Sequence, residues 1–163
     1  MGHAPENTIA SFEKALALGC DEVETDVWLG DDGRLQISHD PPKPGANLTL
    51  EEVLEFCRGR MGVNVELKSV QSEKRAHDTG ASVGRVLVAR RDPDVYVSSF
   101  WWAALEGTRN AAPSVRRAFL LSDSPDRGPL MESARGIGYS SAKANALGAT
   151  TLFQPPSVSG TLP

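Results

Sequence analysis

Glu24 and Asp26 stand two residues apart in a strand-like run, so both carboxylates leave the same face of an extended chain. Val23, Thr25 and Val27 take the opposite face. The run Val63 to Lys68 repeats the arrangement, with Val63, Val65 and Leu67 on one side and Asn64, Glu66 and Lys68 on the other. Acidic side chains are seldom buried unless they are paired or bound to a metal. Strands that hide an apolar face and aim acids the other way fit a site better than a core. Glu24, Asp26 and Glu66 offer oxygen ligands with no thiol or imidazole cluster beside them, which suits a hard dication, Mg²⁺ or Ca²⁺, rather than zinc. The plainer alternative is that these acids are salt-bridged to Lys or Arg at strand ends.

His39 ends another strand-like run and is followed by Asp40 and a proline-rich loop. An imidazole with its ordinary pKa of about 6.5 suits proton transfer at neutral pH, and Asp40 is placed to orient the ring or to bind substrate. Lys68, on the face of Glu66, is a candidate to hold an anionic group as a point charge; neutralising Glu66 is the competing role. Trp101 follows a further strand and is a candidate to line a substrate pocket, against core packing at a helix start. His77 lies in a polar helical stretch and reads as a surface residue, and His3 as a loop residue.

The elements that must position these groups alternate in type. Pro5-Glu6-Asn7-Thr8 opens a helix with apolar residues Ile9, Phe12, Leu16 and Ala17 at helical spacing, closed by Gly19. Strands are expected over residues 22–28 and 34–38 around the turn Gly30-Asp31-Asp32-Gly33. Thr49 with Glu52 forms a capping box for a helix through Phe56. Further strands are expected at Val63–Leu67, Val95–Phe100, Arg117–Leu121 and Thr150–Phe153. Helices are expected over residues 72–91 (weakened by Gly80 and Gly84), 101–110 and 126–147. The order predicts an α/β fold with a parallel sheet, and such sheets carry their chemistry at the carboxyl ends of the strands. The two strands around Asp31-Asp32-Gly33 have no helix between them.

Bulk properties bound the function. The chain has 163 residues, 40% of them apolar and 23% charged, as expected of one globular domain. Its formal charge is 17 − 21 = −4, which argues against a partner bound through its phosphate backbone, so no nucleic acid is expected. Cys20 and Cys57 lack metal-type spacing and read as thiols in a reducing compartment. No apolar run is long enough for a membrane span. The first six residues lack the basic and apolar regions of an export signal, so a cytoplasmic location is expected.

Six stretches, taken in order, resemble the glycerophosphodiester phosphodiesterase family. They are Ala4-Pro5-Glu6-Asn7-Thr8 with Phe12; Glu24-Thr25-Asp26-Val27; His39-Asp40-Pro41; Leu50-Glu51-Glu52-Val53-Leu54; Val65-Glu66-Leu67-Lys68; and Val97-Ser98-Ser99-Phe100. The resemblance covers residues 4–121 clearly and the remainder loosely. It implies a TIM barrel that uses a divalent metal to cleave a small-molecule glycerophosphodiester into glycerol 3-phosphate and an alcohol. It also implies metal ligands at Glu24, Asp26 and Glu66, a catalytic imidazole at His39, and Lys68 near the phosphate.

The chain departs from the family pattern at both ends. The family's opening strand, ending in H-R-G, has no counterpart, and His3 stands too close to Pro5 to take its role. A later W-T-V-N-like strand is also missing. About six strands are counted where an eight-stranded barrel closes. The expectation is one partial domain from a longer gene, with Met1 an internal methionine, weak activity alone and exposed sheet edges. The alternatives are a non-catalytic metal-binding remnant and a related lipid phosphodiesterase that forms a cyclic phosphate. A metal-dependent aldolase or isomerase barrel would share the acidic strand ends but would not require His39-Asp40-Pro41.

Overall fold

The computed structural model describes residues 4–43, 48–69, 72–122 and 149–154. Among them the chain runs α1 (Ile9–Ala17), β1 (Glu22–Leu29), β2 (Leu35–Ile37), α2 (Leu50–Cys57), β3 (Gly62–Leu67), α3 (Glu73–Arg90), β4 (Val95–Ser99), α4 (Trp102–Ala111), β5 (Arg116–Ser122) and β6 (Ala149–Gln154). The six strands form one sheet in the order β2-β1-β3-β4-β5-β6. The helix expected over residues 126–147 lies outside the described residues.

Local chemistry sets the element ends. Thr8 caps α1 by accepting from the Ser11 amide at 3.2 Å, and Ser11, in the position more often held by Glu or Gln, closes the box. The helix ends in a Schellman turn: the Cys20 amide donates to the Ala15 carbonyl, the Gly19 amide to that of Leu16, and Gly19 takes φ 77°. Thr49 caps α2 with Glu52 as its reciprocal partner, as the sequence pattern requires.

The parallel expectation holds from β1 through β6 and fails at β2. β1 pairs in parallel with β3, β3 with β4, β4 with β5 and β5 with β6. β2 instead pairs antiparallel with β1, with Val27 opposite Ile37 and Leu29 opposite Leu35. The physical reason is the connection. Gly30 to Arg34 closes a tight turn, with the Gly30 amide donating to the Arg34 carbonyl at 2.8 Å, and a parallel partner would need a crossover of a dozen or more residues. Glu24 and Asp26 sit within β1, as in the expected strand over 22–28, and β1 continues past its last rung with β3 (Val27 to Leu67) into the hairpin.

Val27, Val63, Val65, Leu67 and Val97 leave the sheet on the face covered by the helices, and pack with Leu50, Val53, Leu54, Val83, Leu87 and Leu105. Gly80 and Gly84, expected to weaken α3, are where α4 comes closest. A Cβ on Gly80 would stand 1.8 Å from the Ala104 carbonyl oxygen, and one on Gly107 2.0 Å from that of His77. Their lack of a side chain lets two backbones meet. With one sheet face thus filled, the polar residues of β1 and β3 are gathered on the other.

Candidate metal centre

Parallel register does the assembling. Asp26 is the rung partner of Glu66 and Glu24 that of Asn64, so the three acids predicted from parity converge on one face. Glu24, Asp26 and Glu66 each present one ligand oxygen, all within 4.8 Å of one another. Asp26 and Glu66 are each 5% exposed, whereas Glu24 is exposed as a residue, with its carboxyl end reaching the cluster. Desolvation within the cluster, then repulsion from Asp26 and Glu66, pushes the Glu24 carboxyl up to about 8. Water at its exposed stem screens part of this, and the upward direction follows from the neighbouring carboxylates.

Lys68 lies between the two buried acids. Its Nζ is 2.6 Å from Glu66 Oε1 and 2.8 Å from Asp26 Oδ1. Burial alone would lower its pKa, but Glu66 and Asp26 outweigh that and hold the ammonium above its ordinary value. Even with Glu24 protonated, the carboxylates of Asp26 and Glu66 against one ammonium leave the cluster short of positive charge. An all-oxygen set at this spacing fits a hard dication. The same inner face carries buried polar atoms without a hydrogen-bond partner, Asn64 Oδ1 and Ser98 Oγ; Asn64 is on the rung of Glu24 and Ser98 on that of Glu66. Unpaired buried polar atoms of this kind ask for a functional explanation, and the donor set together with them fits a bound cation.

Two loops are fastened to Asp26. The Ser38 amide donates to the Asp26 carbonyl at 3.1 Å, and the indole Nε1–H of Trp28 donates to the Ser38 carbonyl at 2.9 Å. These bonds fix the residue before His39 beside a ligand of the cluster. The antiparallel hairpin, not a parallel strand end, is therefore what brings His39 here. Its ring is 58% exposed, with Nδ1 3.4 Å from Asp40 Oδ1, while Asp40 itself reaches into solvent. From the other side, Asn7 Nδ2 donates to Asp26 Oδ2 at 3.0 Å. Neither Trp28 nor Asn7 is singled out by sequence patterning, although Trp28 shares the parity of Glu24 and Asp26 and was legible on that ground.

Trp101 is not brought to the acids. It is the N-cap residue of α4, its amide donates to Ser99 Oγ at 3.0 Å, and its side chain packs partly buried against the core. Trp102 is 8% exposed and meets Phe119 edge-on, with centroids 5.7 Å apart. His77 lies on α3 next to Asn110. A cavity of about 800 Å³ opens beside Lys68, walled by Trp28, Pro41, Pro42, Ser69 and Arg75. Arg75 holds the hairpin over it, donating from Nη2 to the Leu29 carbonyl and to Asp31, each at 2.7 Å.

Comparison with known proteins agrees with this geometry. Residues 1–44 match the model of the glycerophosphoryl diester phosphodiesterase family. A glycerophosphodiester phosphodiesterase of Caldanaerobacter subterraneus is 53% identical over 38 residues, 23% of this chain and 16% of that protein. The matched stretch thus spans about a sixth of the curated relative's length. Among solved structures, an Oleispira antarctica phosphodiesterase in complex with the product sn-glycerol-3-phosphate is 25% identical. It has a TM-score of 0.66 over 93% of this chain and 79% of its own. A Parabacteroides distasonis glycerophosphodiester phosphodiesterase, 20% identical, shares the fold with a TM-score of 0.65 over 91% of this chain and 76% of its own. The fold is accordingly part of a TIM barrel. Its first 44 residues thus match the glycerophosphoryl diester phosphodiesterase family model in sequence, and over nine-tenths of its length the chain is similar in fold to solved phosphodiesterases of that kind.

Proposed function

We propose that this chain carries the metal-binding part of a site that hydrolyses glycerophosphodiesters to glycerol 3-phosphate and an alcohol. The observation that carries the reading is the convergence of Glu24, Asp26 and Glu66 within 4.8 Å, with the His39 segment fastened to Asp26. Those three carboxylates would hold the dication, Mg²⁺ or Ca²⁺, which supplies positive charge to the phosphodiester oxygens when bound. Lys68 lines the cavity with its ammonium paired to Asp26 and Glu66, and would share its charge between the acids and a phosphate oxygen. His39, exposed and flanked by Asp40, exchanges a proton with the alcohol oxygen, and Asp40 steadies the ring that does so. Residues 1–163 make one partial domain.

The test is release of glycerol 3-phosphate from glycerophosphocholine by the purified chain with Mg²⁺ or Ca²⁺. Weak turnover is expected, abolished by chelation and by Glu66→Gln and lowered about 10²-fold or more by His39→Ala. Hydrolysis that survives both the chelator and Glu66→Gln would refute the reading. Metal binding with no turnover at all would assign the chain as a non-catalytic remnant.

A further inference from the structure

The geometry points to Asn7 as a positioning residue that fixes the rotation of the Asp26 carboxylate, holding Oδ2 and leaving Oδ1 turned toward Lys68. This inference rests on the metal site proposed above. Asn7 is one of two non-glycine residues with positive φ among the described residues, at 55°. Asn tolerates that left-handed conformation better than most side chains. Residues held in such conformations gather at functional sites.

Its side-chain amide is read without ambiguity from its partners. Asn7 Oδ1 accepts from the Thr25 hydroxyl at 2.9 Å and from the Asp26 backbone amide at 3.3 Å. Both are donors, so the oxygen must face them, and Nδ2 is left to donate to Asp26 Oδ2 at 3.0 Å. That bond occupies Oδ2. Asp26 Oδ1 is the oxygen paired with Lys68, at 2.8 Å. Asn7 also satisfies the Asp26 amide on the edge of β1, next to the carbonyl that Ser38 holds. The clamp is rigid because the next residue is Thr8, the N-cap of α1, tied to Ser11 by reciprocal bonds. A donor fixed in this way holds the carboxylate in one rotation before any cation arrives. Groups that orient a metal ligand typically change affinity about 10–100-fold when removed.

The test is Mn²⁺ binding by the whole chain, followed by the loss of the free-ion electron paramagnetic resonance signal. Asn7→Gly keeps the left-handed backbone and the entry to α1 while removing the clamp. It is expected to raise the Mn²⁺ dissociation constant about 10–100-fold. A purely structural role would lower the number of sites and leave the dissociation constant of the folded fraction unchanged, which overturns the inference. If Asn7→Gly does not fold, Thr25→Val removes the hydroxyl that orients the amide, and an unchanged dissociation constant there overturns it equally. Glu66→Gln separates the two levels of the argument. Undiminished Mn²⁺ binding by that variant, or none by the unaltered chain, refutes the metal site itself and Asn7's role with it. Parity of Asn7→Gly alone refutes only the clamp.

Discussion

Gly80→Ala in α3 sets two opposing effects against each other. An alanine in a helix interior gains about 1 kcal/mol over glycine from propensity. The structure gives the cost. An added Cβ would lie 1.8 Å from the Ala104 carbonyl oxygen, where 3.4 Å begins ordinary contact, a shortfall of 3.4 − 1.8 = 1.6 Å. The obstacle is backbone, so no rotamer relieves it and α4 must move outward. That movement also stretches the Thr108 hydroxyl bond to the Gly80 carbonyl, now 3.1 Å and buried, worth about 1 kcal/mol. Overpacking of a dense core costs about 1–3 kcal/mol before that bond is counted. The net expectation is a loss of about 2 kcal/mol in urea unfolding followed by circular dichroism. Gly84→Ala is the internal control. Its Cβ meets the Ala111 and Ala112 methyls at 3.2 Å, so a shift of a few tenths of an ångström suffices, and its stability should fall within about 1 kcal/mol of the parent. A Gly80→Ala chain as stable as the parent would refute the close-contact account of the α3–α4 packing.

Other consequences concern charge. Glu24 carries a pKa of about 8 in the metal-free cluster, so binding a dication at pH 7 must expel its proton. Mn²⁺ affinity should rise with pH up to about 8 and then level. An unscreened carboxyl would give about 50-fold between pH 6 and 8, and its exposure reduces this to roughly tenfold; calorimetry in buffers of different ionisation enthalpy reads the proton, and a pH-independent affinity would sink the idea. Lys68→Met should destabilise the metal-free chain at pH 8 by about 3–5 kcal/mol, the usual result of stripping one partner from buried charges. Lys68 has a raised pKa in the folded chain, so its contribution is fully present below the ordinary lysine value and is lost only as pH rises past the folded one. The loss should therefore be the same at pH 7 and pH 8, and a variant as stable as the parent would contradict the pairing of Lys68 with Asp26 and Glu66.

How much of this was legible in the chain depends on the range of the interaction. Parity along β1 and β3 is local, and it placed Glu24, Asp26, Glu66 and Lys68 on one face before any tertiary contact was known. The capping box at Thr49 is equally local. The direction of β2 is not, because nothing within Leu35–Ile37 distinguishes a parallel neighbour from a hairpin return, and only the shortness of the Gly30–Arg34 turn decides it. Asn7 reaches across 19 residues to Asp26, a contact with no periodicity to betray it. Gly80 reads as a weak point in a helix until α4 is laid beside it. Trp101 follows a strand end in sequence, while its partial burial is set by distant core side chains that no local pattern shows.

One edge of the sheet is closed by the chain's own return. Beyond β2, the Ile37 amide donates to the Leu48 carbonyl at 2.7 Å and Gln36 bridges Thr49. β2 is three residues long, and the prolines at 41 and 42 follow shortly after it. A foreign strand therefore finds no run of open amides there. At the opposite end β6 is paired on one side only, with β5, among the described residues. Among the described residues, growth of this sheet by strand addition, whether productive or as misassembly, consequently has a single direction. Proline or lysine placed on β6 would act on that process, and the same changes on β2 would not.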